Sequence, residues 1–305
     1  MSEPIINLNF GITTYKRPNS LKILLEHLSL IETSNNILIK ILVVDNDANE
    51  SARFTVEKYQ NSGKWPIQYL TQPLQNISLA RNGVLNASTG DYIYFIDDDE
   101  YPATDCVMTM IKVAMQYNAD IVFGPVLPVY LPETPMWVKK SGLLNHEEHK
   151  TGMIRRYGAT GNTLIRTLFL ETSKLEFNPD FGLSGGEDLE YFSRCAQYGA
   201  KMVWCNEARV YEPVAKERLK LWWLLKRSFS KGQRYAKVKY NSFTFIQKLL
   251  IFLKRICYLL ISIIYLLVSL FLGQAVIAKA LGKTFSCLGQ LSGFFQWSYK
   301  IYHDQ

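Results

Sequence analysis

The 305-residue chain predicts an α/β fold, a mostly parallel central sheet with helices on both faces, followed by C-terminal interfacial and membrane helices. Three observations carry this. Strand-like and helix-like stretches alternate through the first 240 residues. One strand, "IKILVVD", is continuously apolar and β-branched, as a strand covered on both faces is. An uncharged run from Ile256 to Ala278 is long enough to cross about 30 Å of hydrocarbon.

The elements follow in order. "IINLNFGIT" reads as the first strand, "TYKRPN" as a polar turn, and Ser20 to Ile31 as an amphipathic helix. After "IKILVVD" come a helix from Asn49 to Asn61, the strand "IQYL", and a helix from Ile77 to Ala87. The strand "DYIYFI", a helix from Asp105 to Tyr117 and the strand "ADIVFGPV" complete a βαβαβαβαβ pattern. Right-handed crossovers make such strands parallel, and ligands bind beyond their carboxyl ends. Gly124 to Thr160 is rich in Pro, Trp and charge; "PVLPVYLPETPMW" excludes a long helix and predicts a loop folded over the site. "GLSGGEDLEYFSRC" is a glycine-rich turn opening a helix. The implied division is an α/β domain over 1–215, a basic amphipathic region over 216–245, and membrane-associated helices over 246–305.

Composition narrows the class. With 48% hydrophobic and 20% charged residues the chain is globular, which excludes extended disorder. Five cysteines without a CxxC pair indicate neither a zinc knuckle nor a disulfide framework, and fit a reducing compartment. The N-terminus lacks the pattern of a cleaved signal peptide. The net charge of +7 is uneven: Lys201 to Arg255 holds 14 Lys and Arg against three Glu. A basic segment can face nucleic acid, phosphorylated substrate or anionic lipid. The apolar run that follows favours lipid, and nucleic acid is not expected as a partner. Lys248, Lys254 and Arg255 precede that run, which puts its N-terminal side in the cytoplasm. Gly289 and Gly293 have the spacing of a close helix contact, and Trp297, Tyr299, Lys300 and Tyr302 resemble an interfacial cluster. A returning helix and an in-plane helix both fit.

The stretch "YIYFIDDDEYP" raises the chemical question. Like charges crowd the end of an apolar strand, where packing gives no reason for them. Asp97 and Asp99, two apart, can direct carboxylates at one hard divalent cation, Mn²⁺ or Mg²⁺, which bridges to substrate phosphates. The plainer alternative is a solvated acidic turn capping the next helix. Asp45 in "VVDND" can accept from a base or a ribose hydroxyl, or serve as a turn residue. Arg81 in "NISLARN" can contact base or phosphate, or form an ion pair. Arg17, after Thr13 and Thr14, can meet phosphate or water. Glu187 and Asp188 in "GGEDLEY" can complement a helix dipole, or supply a general base for an acceptor hydroxyl. No Gly-rich dinucleotide or Walker loop follows any strand.

Taken together, "TTYKRP", "VVDND", "NISLARN", "FIDDDEYP", "GGED" and "EARVYEPV" resemble glycosyltransferase family 2, with the GT-A fold. The run "QNISLARNGVLNASTGDYIYFIDDDEYP" and "RLKLWWLLKRSFSKGQRYAK" are similar to succinoglycan-pathway glucosyltransferases of bacterial exopolysaccharide assembly. The resemblance spans residues 5 to 240. It implies an inverting transfer from a nucleotide-sugar, a UDP-sugar, to a lipid-linked saccharide at the inner face of the cell membrane. It implies that Thr13, Thr14, Arg17, Asp45, Arg81 and Asp97 hold the nucleotide. Asp97 and Asp99 bind Mn²⁺ or Mg²⁺, and Asp188 is the base. Trp137 and Glu187 are implied acceptor or loop residues. Many relatives place a histidine after the last strand; Glu212 stands there as the implied third ligand. Two other classes fit less well. A sugar nucleotidyltransferase would want glycines that "GITTYKRP" lacks, and an inactive scaffold would not need intact Asp97, Asp99 and Asp188.

Overall fold

The structure, a computed structural model, describes residues 4–145, 148–240 and 243–295. Its elements in chain order are β1 (Ile6–Thr14), α1 (Pro18–Ser29), β2 (Ile37–Asp45), α2 (Arg53–Ser62), β3 (Ile67–Thr71), α3 (Ile77–Ala87) and β4 (Tyr92–Phe95). Then come β5 (Tyr101–Pro102), α4 (Cys106–Tyr117), β6 (Ile121–Phe123), β7 (Val126–Val129), α5 (Met136–Ser141), β8 (Thr163–Arg166), α6 (Thr167–Ser173) and α7 (Glu187–Tyr198). β9 (Met202–Trp204), β10 (Val210–Pro213), α8 (Leu221–Tyr240), α9 (Phe245–Ser269) and α10 (Gln274–Ser292) finish the chain.

Seven strands form one sheet in the order β3-β2-β1-β4-β8-β6-β9. β1 pairs parallel with β2 and β4, β2 with β3, and β6 with β9. β8 lies antiparallel between β4 and β6. The period-2 alternation of β2 divides the core: Ile41 and Val43 join an apolar layer with Leu21, Leu24 and Met110 of α1 and α4. Leu42 and Val44 face the opposite layer, with Ala80, Val84 and Phe192 of α3 and α7. Covering on both faces is why "IKILVVD" is apolar throughout.

Antiparallel β8 is the main departure from the predicted pattern. The expected strand "ADIVFGPV" also divides into β6 and β7 at Gly124, where a Cβ would meet Ala208 O at 2.6 Å. Asn162 is fully buried beside this break. Its Nδ2 donates to Pro125 O at 2.8 Å and Ala208 O at 2.7 Å, and its Oδ1 accepts from the Tyr94 hydroxyl. One amide thus ties the break to the segment at Ala208; Pro125 O accepts in addition from Val210 N at 3.1 Å.

The chain divides into two compact units. The first comprises Met1–Leu127, His146–Gly182 and Glu187–Glu212, and holds the seven-stranded sheet. The second comprises Pro128–Asn145, Leu183–Gly186 and Pro213–Gln305. Within the second, Val138, Leu144, Val214 and Leu224 form a small apolar cluster, and α10 lies between α8 and α9. The contact of α10 with α8 is close because glycines remove the Cβ: one on Gly289 would sit 2.0 Å from Phe229 O, and one on Gly232 would sit 2.1 Å from Ser286 O. The close approach read from Gly289 and Gly293 is therefore made against α8; a Cβ on Gly293 would lie 2.4 Å from Ala236 Cβ.

The apolar run read as Ile256 to Ala278 is not one helix. α9 begins at Phe245 and ends at Ser269, and Gly273, at φ +94°, starts α10. Thr244 and Gln247 form a capping box that sets the earlier start. Lys248, Lys254 and Arg255 consequently lie inside α9 rather than ahead of it. In the basic amphipathic region read over 216–245, α8 starts at Leu221, after a short 3-10 turn over Lys216–Leu219. The cluster of Trp297, Tyr299, Lys300 and Tyr302 lies outside the described residues.

Asn162→Ala would remove the side-chain bonds to Ala208 O, Pro125 O and the Tyr94 hydroxyl, leaving Pro125 O with Val210 N and Tyr94 with Cys106 Sγ. Chemical denaturation is expected to show a loss of about 3 kcal/mol.

Candidate active site

The site is built at the carboxyl ends of β1, β2 and β4. β1 and β2 are paired in register with Thr14 opposite Asp45, and β1 pairs Gly11 with Phe95 at the end of β4. The acidic stretch Asp97–Glu100 follows at that edge.

Its three aspartates do different things. Asp98 points inward: its Oδ2 accepts from Thr14 Oγ1 at 2.7 Å, and its Oδ1 lies 3.3 Å from Arg17 Nη1. Its side chain is 6% exposed, against 43% for Asp97 and 24% for Asp99. Asp99 Oδ2 lies 3.2 Å from the same Arg17 nitrogen. Thr14 and Arg17 therefore brace the acidic turn from below, while Asp97 and Asp99 keep open surface. Glu100 is buried, and its Oε2 accepts from Asp97 N at 3.2 Å.

The charge held here is only partly compensated. Removal from water is the largest influence and pushes Asp97 up to about 6; Arg81 opposes it, and Asp99, Asp98 and Glu212 add to it. Asp98 is likewise pushed up to about 6, by burial first, with Arg17 opposing. Glu100 is raised well above the usual range by burial and then by Asp97, Asp99 and Glu212.

Arg81, on α3, is the centre of the second half of the site. It is 5% exposed. Its Nη1 donates to Glu187 Oε1 and to Asp188 Oδ1, each at 2.6 Å, and its Nη2 stands 3.7 Å from Asp97 Oδ1. The guanidinium also lies over the Phe177 ring, 5.6 Å from its centroid. Asp188 Oδ1 accepts a further bond from Thr160 Oγ1 at 3.2 Å. Burial pushes Asp188 up to about 7, with Arg81 pulling it down and Glu187 and Asp97 pushing it up. One buried cation thus ties together the carboxylates of α7 and of the acidic turn.

Several expected roles change. Asp45 has no exposed surface: Oδ1 accepts from Asp47 N at 3.1 Å, and Oδ2 from Ala52 N at 2.8 Å and the Tyr69 hydroxyl at 2.9 Å. It holds the turn between β2 and α2. Arg81 is an ion-pair hub, because three carboxylates already surround its donors. Thr13, 8% exposed on β1, lies beside this edge. Trp137 belongs to the second unit, packed with the Val138 and Leu144 cluster. Glu212 is not gathered with Asp97 and Asp99: among the described residues no three His, Cys, Asp or Glu side chains form a ligand group. Like charges without a cation between them stay apart, although Glu212 is near enough to raise Asp97 and Glu100. Sequence reasoning passed over Asp98, Thr160 and Glu100. Asp98 lies in a turn after β4, where no period tells which way a side chain faces, so the sequence held no signal for it.

The donor set fits a divalent cation. Two hard carboxylates with open surface suffice for Mg²⁺ or Mn²⁺, whose remaining positions are filled by phosphates and water.

The model of glycosyl transferase family 2 matches residues 10–170. The chain belongs to that family. It is 34% identical over 244 residues to the succinoglycan biosynthesis protein ExoM of Rhizobium meliloti, covering 78% of this chain and 77% of that protein. Among solved structures, S. aureus TarS 1-349 in complex with UDP superposes with a TM-score of 0.56 at 14% identity, over 97% of this chain and 93% of that one. In the longer TarS structure the match covers 45% of that chain. The mannosyltransferase PcManGT from Pyrobaculum calidifontis, in complex with GDP-Man and Mn²⁺, superposes with a TM-score of 0.59 at 13% identity, over 96% of this chain and 75% of that one. The family-2 chain is therefore a GT-A glycosyltransferase of the kind found in exopolysaccharide pathways.

Arg81→Gln leaves Glu187 and Asp188 buried beside each other without a cation. Denaturant unfolding is expected to show a loss of about 3–5 kcal/mol.

Proposed function

We propose that this chain transfers one sugar, with inversion, from a UDP-sugar to a lipid-linked saccharide acceptor in bacterial surface polysaccharide synthesis, at the cytoplasmic face of the cell membrane. The observation that carries the reading is the Arg81 link: Asp188 at 2.6 Å and Asp97 at 3.7 Å from one guanidinium. A base and a diphosphate-binding carboxylate must sit a substrate's width apart, and a single planar cation holds them so. The likeness to ExoM supports the pathway class, and the UDP complex of TarS supports the nucleotide.

Asp188 is the base. Thr160 and Arg81 fix its Oδ1, and the raised pKa near 7 lets it hold a proton that it takes from the attacking hydroxyl. Arg81 then faces a protonated Asp188 and stays paired with Glu187. Asp97 and Asp99 would hold Mn²⁺ or Mg²⁺, with phosphate and water filling the remaining positions. A divalent ion bound there supplies positive charge to the departing diphosphate. Arg17 and Thr14 keep the acidic turn in place through Asp98. Thr13 lies at the nucleotide end of β1.

UDP release measured over a panel of UDP-sugars with membrane extract as acceptor tests the whole reading. Asp188→Asn is expected to lower turnover at least about 100-fold with UDP affinity unchanged. Wild-type turnover in that variant removes the base assignment. Asp99→Ala is expected to abolish the Mn²⁺ enhancement of UDP binding seen by calorimetry; equal binding with and without Mn²⁺ in the wild type points to a scaffold. The base form of Asp188 accumulates as pH rises through about 7, so kcat/KM is expected to climb between about pH 6 and 8. A rate flat across that window would contradict it.

A further inference from the structure

α9 buries only Ser262 and Ser269. Its inner stripe meets α10: Thr284 Oγ1 donates to Ser262 Oγ at 3.2 Å, Cys287 Sγ donates to Arg255 O at 3.3 Å, and the Phe252 and Phe294 rings stand 5.3 Å apart. These pairs run in opposite directions, so α9 and α10 form an antiparallel hairpin. The outer face is open and apolar, with Leu250 and Ile264 each 61% exposed, and it continues past the helix end into Phe271, 90% exposed in the turn before α10. Among the described residues α9 alone is long and apolar enough to cross a bilayer.

Its neighbours argue against crossing. α10 exposes Lys279 and Lys283, within the first turns after Gly273. The far side of α10 lies along α8, with Gly232 against Ser286 and Gly289 against Phe229. α8 carries Lys226, Arg227, Lys231, Arg234, Lys237 and Lys239 and no acid. A perpendicular α9 would draw α10 and α8 to the same depths, and place these cations in hydrocarbon. With the hairpin flat, only the outer face of α9 enters lipid and the cations stay among the headgroups or in the water beyond them. Lys254 lies at the flank of that face, from which its stem can reach the headgroups. Arg218 to His303 holds 14 Lys and Arg and no Asp or Glu, which matches an anionic leaflet.

We infer that α9 lies in the plane of an anionic membrane surface, as a monotopic anchor whose Leu250–Cys257–Ile264–Phe271 face enters the lipid while α10 and α8 lie on the aqueous side. The inference rests on the reading above that the C-terminal helices meet lipid, and not on the transfer chemistry.

Cys257 is the one exposed cysteine; Cys106, Cys195, Cys205 and Cys287 are buried. The full chain, labelled there with an environment-sensitive fluorophore, is bound to vesicles of phosphatidylcholine with phosphatidylglycerol that carry quenchers at graded depths. Leu250→Cys, Ile264→Cys and Phe271→Cys, each in a Cys257→Ser background, supply three further positions. The four labels are expected at one shallow depth, within about 4 Å of each other. A spanning helix would separate successive labels by about 10 Å and put one near the midplane, which overturns the inference. Labels that no lipid quencher reaches, with a dimer in light scattering, would show that a second copy covers the face and overturn it too. Binding is expected to fall at least about 10-fold on vesicles of phosphatidylcholine alone; equal binding refutes the role of the cations. The readout uses no donor sugar, so a chain inactive with every donor can still pass or fail it.

Discussion

One buried guanidinium organises the catalytic half of this molecule. Without Arg81, adjacent Glu187 and Asp188 at the start of α7 would face each other and the acidic turn with no cation within reach. Desolvated like charges repel strongly, so the first turn of α7 could not sit against the ends of β1 and β4. Compensation is incomplete. Glu187 Oε2 is buried without a hydrogen-bond partner, and Asp188 and Asp97 remain easier to protonate than ordinary carboxylates. A site left short of positive charge is ready to receive it, whether as a cation or as a proton from an acceptor.

The scaffold beneath is arranged to hold that edge rigid. Covering on both faces makes β1, β2 and β4 stiff, and Asp45, Asp98 and Asn162 each bond to other parts of the chain itself. Antiparallel β8 brings Thr160 and Asn162 back to the sheet edge where the aspartates emerge. A parallel strand in that place would have delivered its opposite end there. The reversal therefore supplies a hydroxyl to Asp188.

The second unit follows a different physics. Its helices are separated by glycine contacts rather than by large side chains, and its charge is of one sign from Arg218 to His303. Uniform positive charge opposes compaction in water. An anionic surface removes that opposition while accepting the apolar face of α9. Charge pattern and apolar exposure thus point to one partner.

Residues close in sequence were enough to read much of this. The α/β alternation, α3 with its observed ends Ile77–Ala87, the acidic stretch at Asp97 and Asp99 after a strand, and the helix that opens at Glu187 and Asp188 follow from local periodicity and from motif order. The GxxxG spacing announced a close helix contact. What pairs across the chain was not legible. Whether Arg81 meets a phosphate or the Glu187 and Asp188 carboxylates 106 and 107 residues away depends on where α7 docks. Whether Asp45 faces a ligand or its own turn depends on Ala52 and Tyr69. The direction of β8 and the break at Gly273 were equally hidden, since a short apolar run reads the same both ways and a glycine tells of a permitted turn, not an enforced one. Composition and period report what each segment can bury. Only the assembled structure decides which partner, brought from far along the chain, satisfies a given charge.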